Sequence, residues 1–260
     1  MRRIQGFEFN DQAWLPGAIR EAIVETLGQG LEMAGVYENV VPEFTNFCQQ
    51  VQCQTILDLC SGSGEPISIL VRAMEKVQAP TPKFLMSDLF PNQEAMARVC
   101  ARHPDVVEMI PTPVSATDVP RDIDCQAVMI NNAFHHFPPD LGLQILRDAV
   151  SKQRAIFIVE GLNGDLSRYL SLFVWLFAAG ALRPFRSEKQ GLDWVLQALV
   201  TLGPLLPLGA WDGLVSTMRV HRKRDMMAMA GLLGEGYAWE FKEVPYSVHG
   251  KSVIFMGKPL

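Results

Sequence analysis

Short apolar runs closed by turn residues alternate with segments whose apolar positions recur at helical spacing through the middle of the chain. Thr55 to Leu59 is an apolar run that ends at glycines, and it reads as a buried strand. Ile67, Leu70, Val71 and Met74 then fall on one face of a helix. Lys83 to Met86 predicts a second strand and Asn92 to Ala101 a second helix, and a third strand falls within Met109 to Val114. Ala127 to Asn131, a helix around Leu141 to Val150, and Ala155 to Val159 continue the alternation. Repeated strand–helix units predict an α/β protein with a parallel sheet covered by helices on both faces.

The flanking segments read differently. Residues 1–52 predict helices, one from Pro16 to about Leu27 stopped by Gly28 and Gly30, another from Pro42 to near Gln50. Residues 162–213 lose the alternation; apolar, aromatic and helix-leaning, they predict a cap inserted into a core made of 53–161 and 214–260. Trp175, Phe173, Phe177, Trp194 and Trp211 read as its packing residues, some of them candidates for the lining of an acceptor pocket. A helix over Arg224 to Leu233 follows. Tyr237, Trp239 and Phe241 alternate, Gly250 marks a turn, and Val253 to Met256 returns, which predicts an antiparallel C-terminal hairpin closing the sheet.

Composition narrows the function. The 260 residues carry a net charge of -5, a poor balance for a nucleic-acid binder. Five cysteines, an odd number with no CxxC or Cys/His cluster, read as reduced intracellular thiols with no metal site. The two N-terminal arginines lead into no apolar stretch, so no signal peptide is expected. Tyr169 to Leu182 is too short for a membrane span, and Trp194 to Trp211 is broken by Gly203, Pro204, Pro207 and Gly209. A cytoplasmic protein is expected, with peripheral membrane contact through the cap left open.

The candidate chemistry centres on Ile56 to Pro66, ILDLCSGSGEP. In an open parallel sheet, ligands bind beyond the carboxyl ends of the strands, where this glycine turn lies. A dinucleotide fingerprint would need a third glycine where Ile67 stands, and Asp58 is unwelcome beside a pyrophosphate. An NAD-dependent oxidoreductase is therefore the weaker of two readings.

The stretch resembles the first motif of class I S-adenosylmethionine-dependent methyltransferases of the bacterial small-molecule type: an apolar strand, an acid, then GxG. The resemblance covers about residues 35 to 257, the cap least. It implies a Rossmann-like seven-stranded sheet, S-adenosyl-L-methionine as cofactor and S-adenosyl-L-homocysteine as product. That ligand carries an ammonium and a sulfonium, which an acid at the strand exit favours. On this resemblance the cofactor residues are Tyr37, Asp58, Leu59, Cys60, Ser61, Gly62, Gly64, Asp88, Leu89, Thr117, Asp118, Asn131 and Asn132, with Asp88 on the ribose hydroxyls, Thr117 and Asp118 beside the adenine and Tyr37 over the methionine end. His135 and His136 follow strand four in a turn similar to the HHF turn of many such enzymes, and WDGLVSTMR, Trp211 to Arg219, resembles a segment before the last helix of related bacterial enzymes. Cys60, Glu65 and Pro66 depart from the family's usual loop.

Each residue also has a plain structural reading. Asp58 can cap the following helix, Asp88 can be a turn residue, Tyr37 can be core, and both histidines can serve the loop. Adjacent on an extended segment, His135 and His136 would point apart, so one is expected to face the methyl donor as a candidate base. His103, His221 and His249 read as surface residues. The run RVHRKR, Arg219 to Arg224, reads as a solvated helix start, or as a contact for a substrate carboxylate or an anionic membrane. The turn after strand four lacks the Asn/Asp-Pro-Pro-aromatic pattern that resembles adenine or glutamine methylation, which demotes those acceptors; the apolar composition of Leu162 to Trp211 predicts a small, lipophilic acceptor, with a non-catalytic cofactor-binding module as a further alternative.

Overall fold

A computed structural model describes residues 3–260 apart from 13, 168, 171–172, 175–202, 204–205 and 247–249. Helices α1 (Gly17–Met33) and α2 (Val40–Gln50) lead into alternating β1 (Thr55–Leu59), α3 (Glu65–Lys76), β2 (Lys83–Met86), α4 (Gln93–Arg102), β3 (Val107–Met109), β4 (Ala127–Asn131), α5 (Pro139–Ser151) and β5 (Ala155–Glu160). A 3-10 turn, Phe134–His136, precedes α5. Helices α6 (Leu206–Arg219) and α7 (Lys223–Gly231) and strands β6 (Tyr237–Pro245) and β7 (Lys251–Pro259) complete the described chain.

The seven strands lie in the order β3-β2-β1-β4-β5-β7-β6. The first five are parallel; β7 pairs antiparallel with both β5 and β6. The order reverses between β1 and β4, so the carboxyl ends of these two strands open the crevice where such sheets bind ligands. Both faces of the central strands β1, β4, β5 and β7 are buried. Ile56, Phe84, Met129 and Phe157 point into a layer with α2 and α3, while Leu57, Val128, Ile156 and Phe255 face α5 and α7.

Two boundaries differ from the sequence expectation. Helix α1 runs through Gly28 and Gly30 to Met33. A Cβ at Gly28 would lie 3.0 Å from Glu65 Cγ, so the glycine serves close packing of α1 on α3 instead of ending the helix. Strand β3 is Val107–Met109, earlier than expected, because its register is fixed by pairing with Phe84–Met86. The tract WDGLVSTMR is itself helical, within α6. Among the described residues no helix is long and apolar enough to cross a membrane. Most of the expected cap, with Trp175, Phe177 and Trp194, lies outside the described residues.

Phe157 joins β5 to α2, its ring 5.1 Å from Phe44 and 5.2 Å from Phe47. It is fully buried. Phe157→Ala should lower the unfolding free energy in urea by about 3–5 kcal/mol; a loss below about 1 kcal/mol would mean that this layer is not the core.

Candidate active site

At the end of β1 the chain turns through Cys60 (φ 61°), Gly62 (φ 56°) and Gly64 (φ 78°). Gly64 is required twice over: its backbone is left-handed, and a Cβ there would lie 2.6 Å from Met86 Sδ. Asp58 is buried, with Oδ2 accepting from Ser61 Oγ and Oδ1 left without a partner. Burial pushes its carboxyl up to about 8, with a further push from Asp88 and an opposing pull from the Ser61 hydroxyl. Asp88, just beyond β2, accepts from the Gly62 N–H at 2.8 Å and the Phe90 N–H at 2.9 Å. These bonds fix the carboxylate against the glycine turn.

A second group lies at the end of β4. Tyr37 is buried, and its hydroxyl donates to Asn131 Oδ1 at 2.6 Å while accepting from Asn132 Nδ2 at 2.7 Å. Asn132 Oδ1 accepts from the Gly161 N–H at 2.6 Å, and Asn131 Nδ2 has no partner. Tyr37 thus ties the approach to α2 to the ends of β4 and β5.

The third group is ionic. Glu160, the last residue of β5, is buried and accepts from the His135 backbone N–H at 2.9 Å and from His135 Nδ1 at 2.7 Å. Burial alone would raise Glu160, but the charge and hydrogen bonds of His135 hold it below the usual carboxylate range. The 3-10 turn sets the His135 and His136 rings side by side, centroids 4.3 Å apart, where an extended segment would have splayed them. His136 Nδ1 lies 3.1 Å from Asp11 Oδ1 and 3.2 Å from Arg219 Nη1.

Residues 3–12 strap this turn to α6. Arg3 donates to the carbonyls of His135 and Phe137, Trp211 Nε1 donates to the Phe7 carbonyl, and Asp212 accepts from the Phe9 and Asn10 N–H groups at 2.7 and 2.9 Å. Arg219 is buried and pairs with Glu8 at 3.0 Å and Asp11 at 2.8 Å. Burial pushes Glu8 up to about 7 against the pull of His136 and Arg219. Burial also pushes Asp11 upward, but the hydrogen bonds and charges of His136 and Arg219 prevail and hold it at about 2. A cavity of about 170 Å³ lies between the strap and the sheet, with Glu8, Asn10, His135, His136 and Glu160 on one side and Val24, Leu27, Leu31 and Ile69 on the other.

No family model matches the chain, and no curated protein does. Solved structures do. The plantazolicin methyltransferase BpumL, in complex with SAH, matches 96% of this chain and 94% of its own length at 13% identity, with a TM-score of 0.56. The mitomycin 7-O-methyltransferase MmcR matches 94% of this chain at 13% identity and a TM-score of 0.51, and the chain spans 56% of that protein's length. The chain has the class I S-adenosylmethionine-dependent methyltransferase fold.

Within this methyltransferase fold the structure brings Asp58, Ser61, Gly62, Gly64 and Asp88 together at the β1 turn, and Tyr37, Asn131 and Asn132 at the end of β4. Cys60 sits in the same turn, where burial pushes its thiol up. Leu59 is buried in the α5 layer and Leu89 is exposed. Thr117 bonds Ser115 Oγ at 3.0 Å, and the preceding Val114 N–H donates to the Asp88 carbonyl. Asp118 is exposed, and its carboxylate lies 3.6 Å from Lys152 at the C-terminal end of α5.

Other assignments change. His103 is buried against Ser68 Oγ at 2.9 Å, and His221 is buried with Nε2 2.9 Å from the Phe137 carbonyl, so neither is a surface residue. His249 lies outside the described residues. The first residue of the basic run, Arg219, is an internal cation and not part of a solvated helix start. Sequence reasoning missed Glu8, Asp11, Glu160 and Asp212; the available signal was charge in apolar surroundings, as in LPLGAWDGLVSTMR.

Removing Arg219 leaves the buried Glu8 without its counter-ion. Arg219→Gln should cost about 3 kcal/mol in unfolding free energy and should speed amide exchange of residues 3–12 while β1 and β4 stay protected. Unchanged exchange in the strap would show that Arg219 does not hold it.

Proposed function

We propose that the protein is an S-adenosylmethionine-dependent methyltransferase acting on a small, largely apolar acceptor bearing a hydroxyl or amine. The observation that carries this reading is a shared strand edge. Leu59 of β1 lies opposite Ile130 of β4, so the unpartnered Asp58 carboxyl oxygen and the His135–Glu160 pair open on the same end of the sheet.

The residues present fit the cofactor. Asp58 Oδ1 is a buried acceptor suited to an ammonium, and the turn around Gly62 allows close approach of a ligand. Each Asp88 oxygen holds one backbone N–H and keeps a second lone pair for a ribose hydroxyl. Asn131 and Tyr37 border the methionine end, and Thr117 borders the adenine. Bound there, the cofactor supplies a methyl group that is already activated.

The chain's own task is to align the acceptor, exclude water and take its proton. Glu160 holds the proton of His135 on Nδ1, which leaves Nε2 as the proton acceptor, and the buried carboxylate stabilises the imidazolium that forms. His136, held by Asp11 and Arg219, orients the turn. The apolar wall of Val24, Leu27, Leu31 and Ile69 suits an acceptor with little polar surface.

S-adenosylhomocysteine should raise the melting temperature and NADH should not. Label from methyl-labelled S-adenosylmethionine should pass from a host small-molecule extract into organic solvent. His135→Ala should cut transfer about 10²–10⁴-fold with S-adenosylhomocysteine affinity unchanged. Binding without transfer to any acceptor would instead support a non-catalytic module, and full activity in His135→Ala would point to an acceptor that needs no base.

Asp58 adds a pH test. Its folded pKa of about 8 lies above the usual carboxylate value, so its contribution to stability is greatest at acid pH and is lost as pH rises toward 8. A cationic ligand prefers the ionised form, so binding releases a proton. The neighbouring ionisable groups are Asp88, Cys60 and Tyr37, of which burial pushes Cys60 and Tyr37 upward, away from neutrality. S-adenosylhomocysteine affinity should therefore rise by up to about tenfold per pH unit between about pH 6 and 8, and Asp58→Asn should bind more weakly with a flat profile. A flat profile in the wild type would remove Asp58 from the ammonium site.

A further inference from the structure

Proton transfer through His135 and Glu160 leaves Glu8 and His136 without a chemical role, although both line the cavity. One ligating atom from each of Glu8, His135 and His136 lies within 4.8 Å of the other two, and among the described residues no other group of His, Cys, Asp or Glu meets that spacing. We infer that these three residues form a binding site for a divalent transition-metal ion of the zinc class.

The surroundings of each ligand support this. Metal-binding imidazoles commonly donate their second ring N–H to a carboxylate, which fixes the ring and makes the free nitrogen more basic. His135 does so to Glu160 at 2.7 Å, and His136 Nδ1 is occupied by Asp11 Oδ1 at 3.1 Å and Arg219 Nη1 at 3.2 Å, which leaves Nε2 for an ion. Glu8 is divided in the same sense. Its Oε1 accepts from Ser216 Oγ at 3.0 Å and pairs with Arg219 at 3.0 Å, while Oε2 faces His136 at 3.8 Å. Arg219 thus holds the back of the carboxylate and leaves the front free.

Charge and ligand type agree. Glu8, Asp11, Glu160 and Asp212 gather four carboxylates around this wall, against the guanidinium groups of Arg3 and Arg219. With the carboxylates ionised, a divalent cation would balance the excess. Two imidazoles and one carboxylate, without thiols, suit zinc better than magnesium or calcium, and three protein ligands leave a coordination position open to the cavity. A zinc tetrahedron spaces its ligand atoms by roughly 3.4 Å, so the side chains must close by up to about 1.4 Å. An ion at this point claims the His135 lone pair, so metal and proton compete for one nitrogen.

The test is a zinc titration of chelator-treated full-length protein against a chromophoric competitor, with cobalt as a spectroscopic probe. One zinc per chain is expected, with cobalt absorption of tetrahedral intensity. Glu8→Gln and His136→Gln should each weaken zinc binding at least about tenfold, and Glu160→Gln, which frees the His135 ring, by about ten- to a hundredfold. Circular dichroism of each variant checks the fold. Absence of one-to-one binding in the wild type overturns the inference, as does binding undiminished in both Glu8→Gln and His136→Gln, which would place zinc elsewhere, for example on Cys48 and Cys53. The S-adenosylhomocysteine melting shift, read on the same samples, reports on the methyltransferase proposal separately.

Discussion

The site depends on one buried cation. Arg219, at the last turn of α6, neutralises Glu8 and Asp11 and reaches the Gly6 carbonyl, so it fastens the N-terminal strap to a helix far along the sequence. The strap in turn fastens the histidine turn, through Arg3 to the His135 and Phe137 carbonyls and through Asp11 to His136. A buried ion pair of this kind adds little net stability compared with apolar packing, but it is costly to break from one side. Its value here is specificity of arrangement. Hydrophobic contact alone would let the strap slide, whereas a guanidinium shared between two carboxylates and a carbonyl fixes its register against α6.

The sheet supplies the complementary rigidity. Strand β1 is buried on both faces and flanked by β2 and β4, and the backbone beyond it is pinned by the Ser87 N–H to the Asp58 carbonyl and by Asp88 to the Gly62 N–H. The glycine turn is therefore set before any ligand binds, which lowers the ordering cost of binding. Asp58 bears the expense. Its carboxyl is desolvated with one oxygen unpaired, a local instability that a cationic ligand would relieve.

The alternating pattern was enough to locate four of the five parallel strands, because each is an apolar run bounded by turn residues, and short buried runs of that kind are legible without tertiary information. The third strand was misplaced because three residues carry too little pattern and their register comes from β2. The glycines of α1 misled for a related reason: Gly28 answers a neighbour on α3, not the local chain. The β1 turn was legible because its chemistry is contiguous in sequence. The ionic wall was not, since Glu8, His136 and Arg219 are separated by 83 to 211 residues and meet only after folding.

The two ends of the crevice therefore solve different electrostatic problems. At the β1 end a lone acid is desolvated and raised, so it favours a ligand that brings positive charge. At the β5 end Glu160 is desolvated but lowered, because His135 supplies both hydrogen bonds and charge. On the proposed function, the first arrangement would bind the cofactor's ammonium and the second would fix the His135 ring. An acid already hydrogen-bonded by histidine would gain little from an ammonium. Burial is common to both; the difference is whether the compensating charge belongs to the chain or must arrive with the ligand.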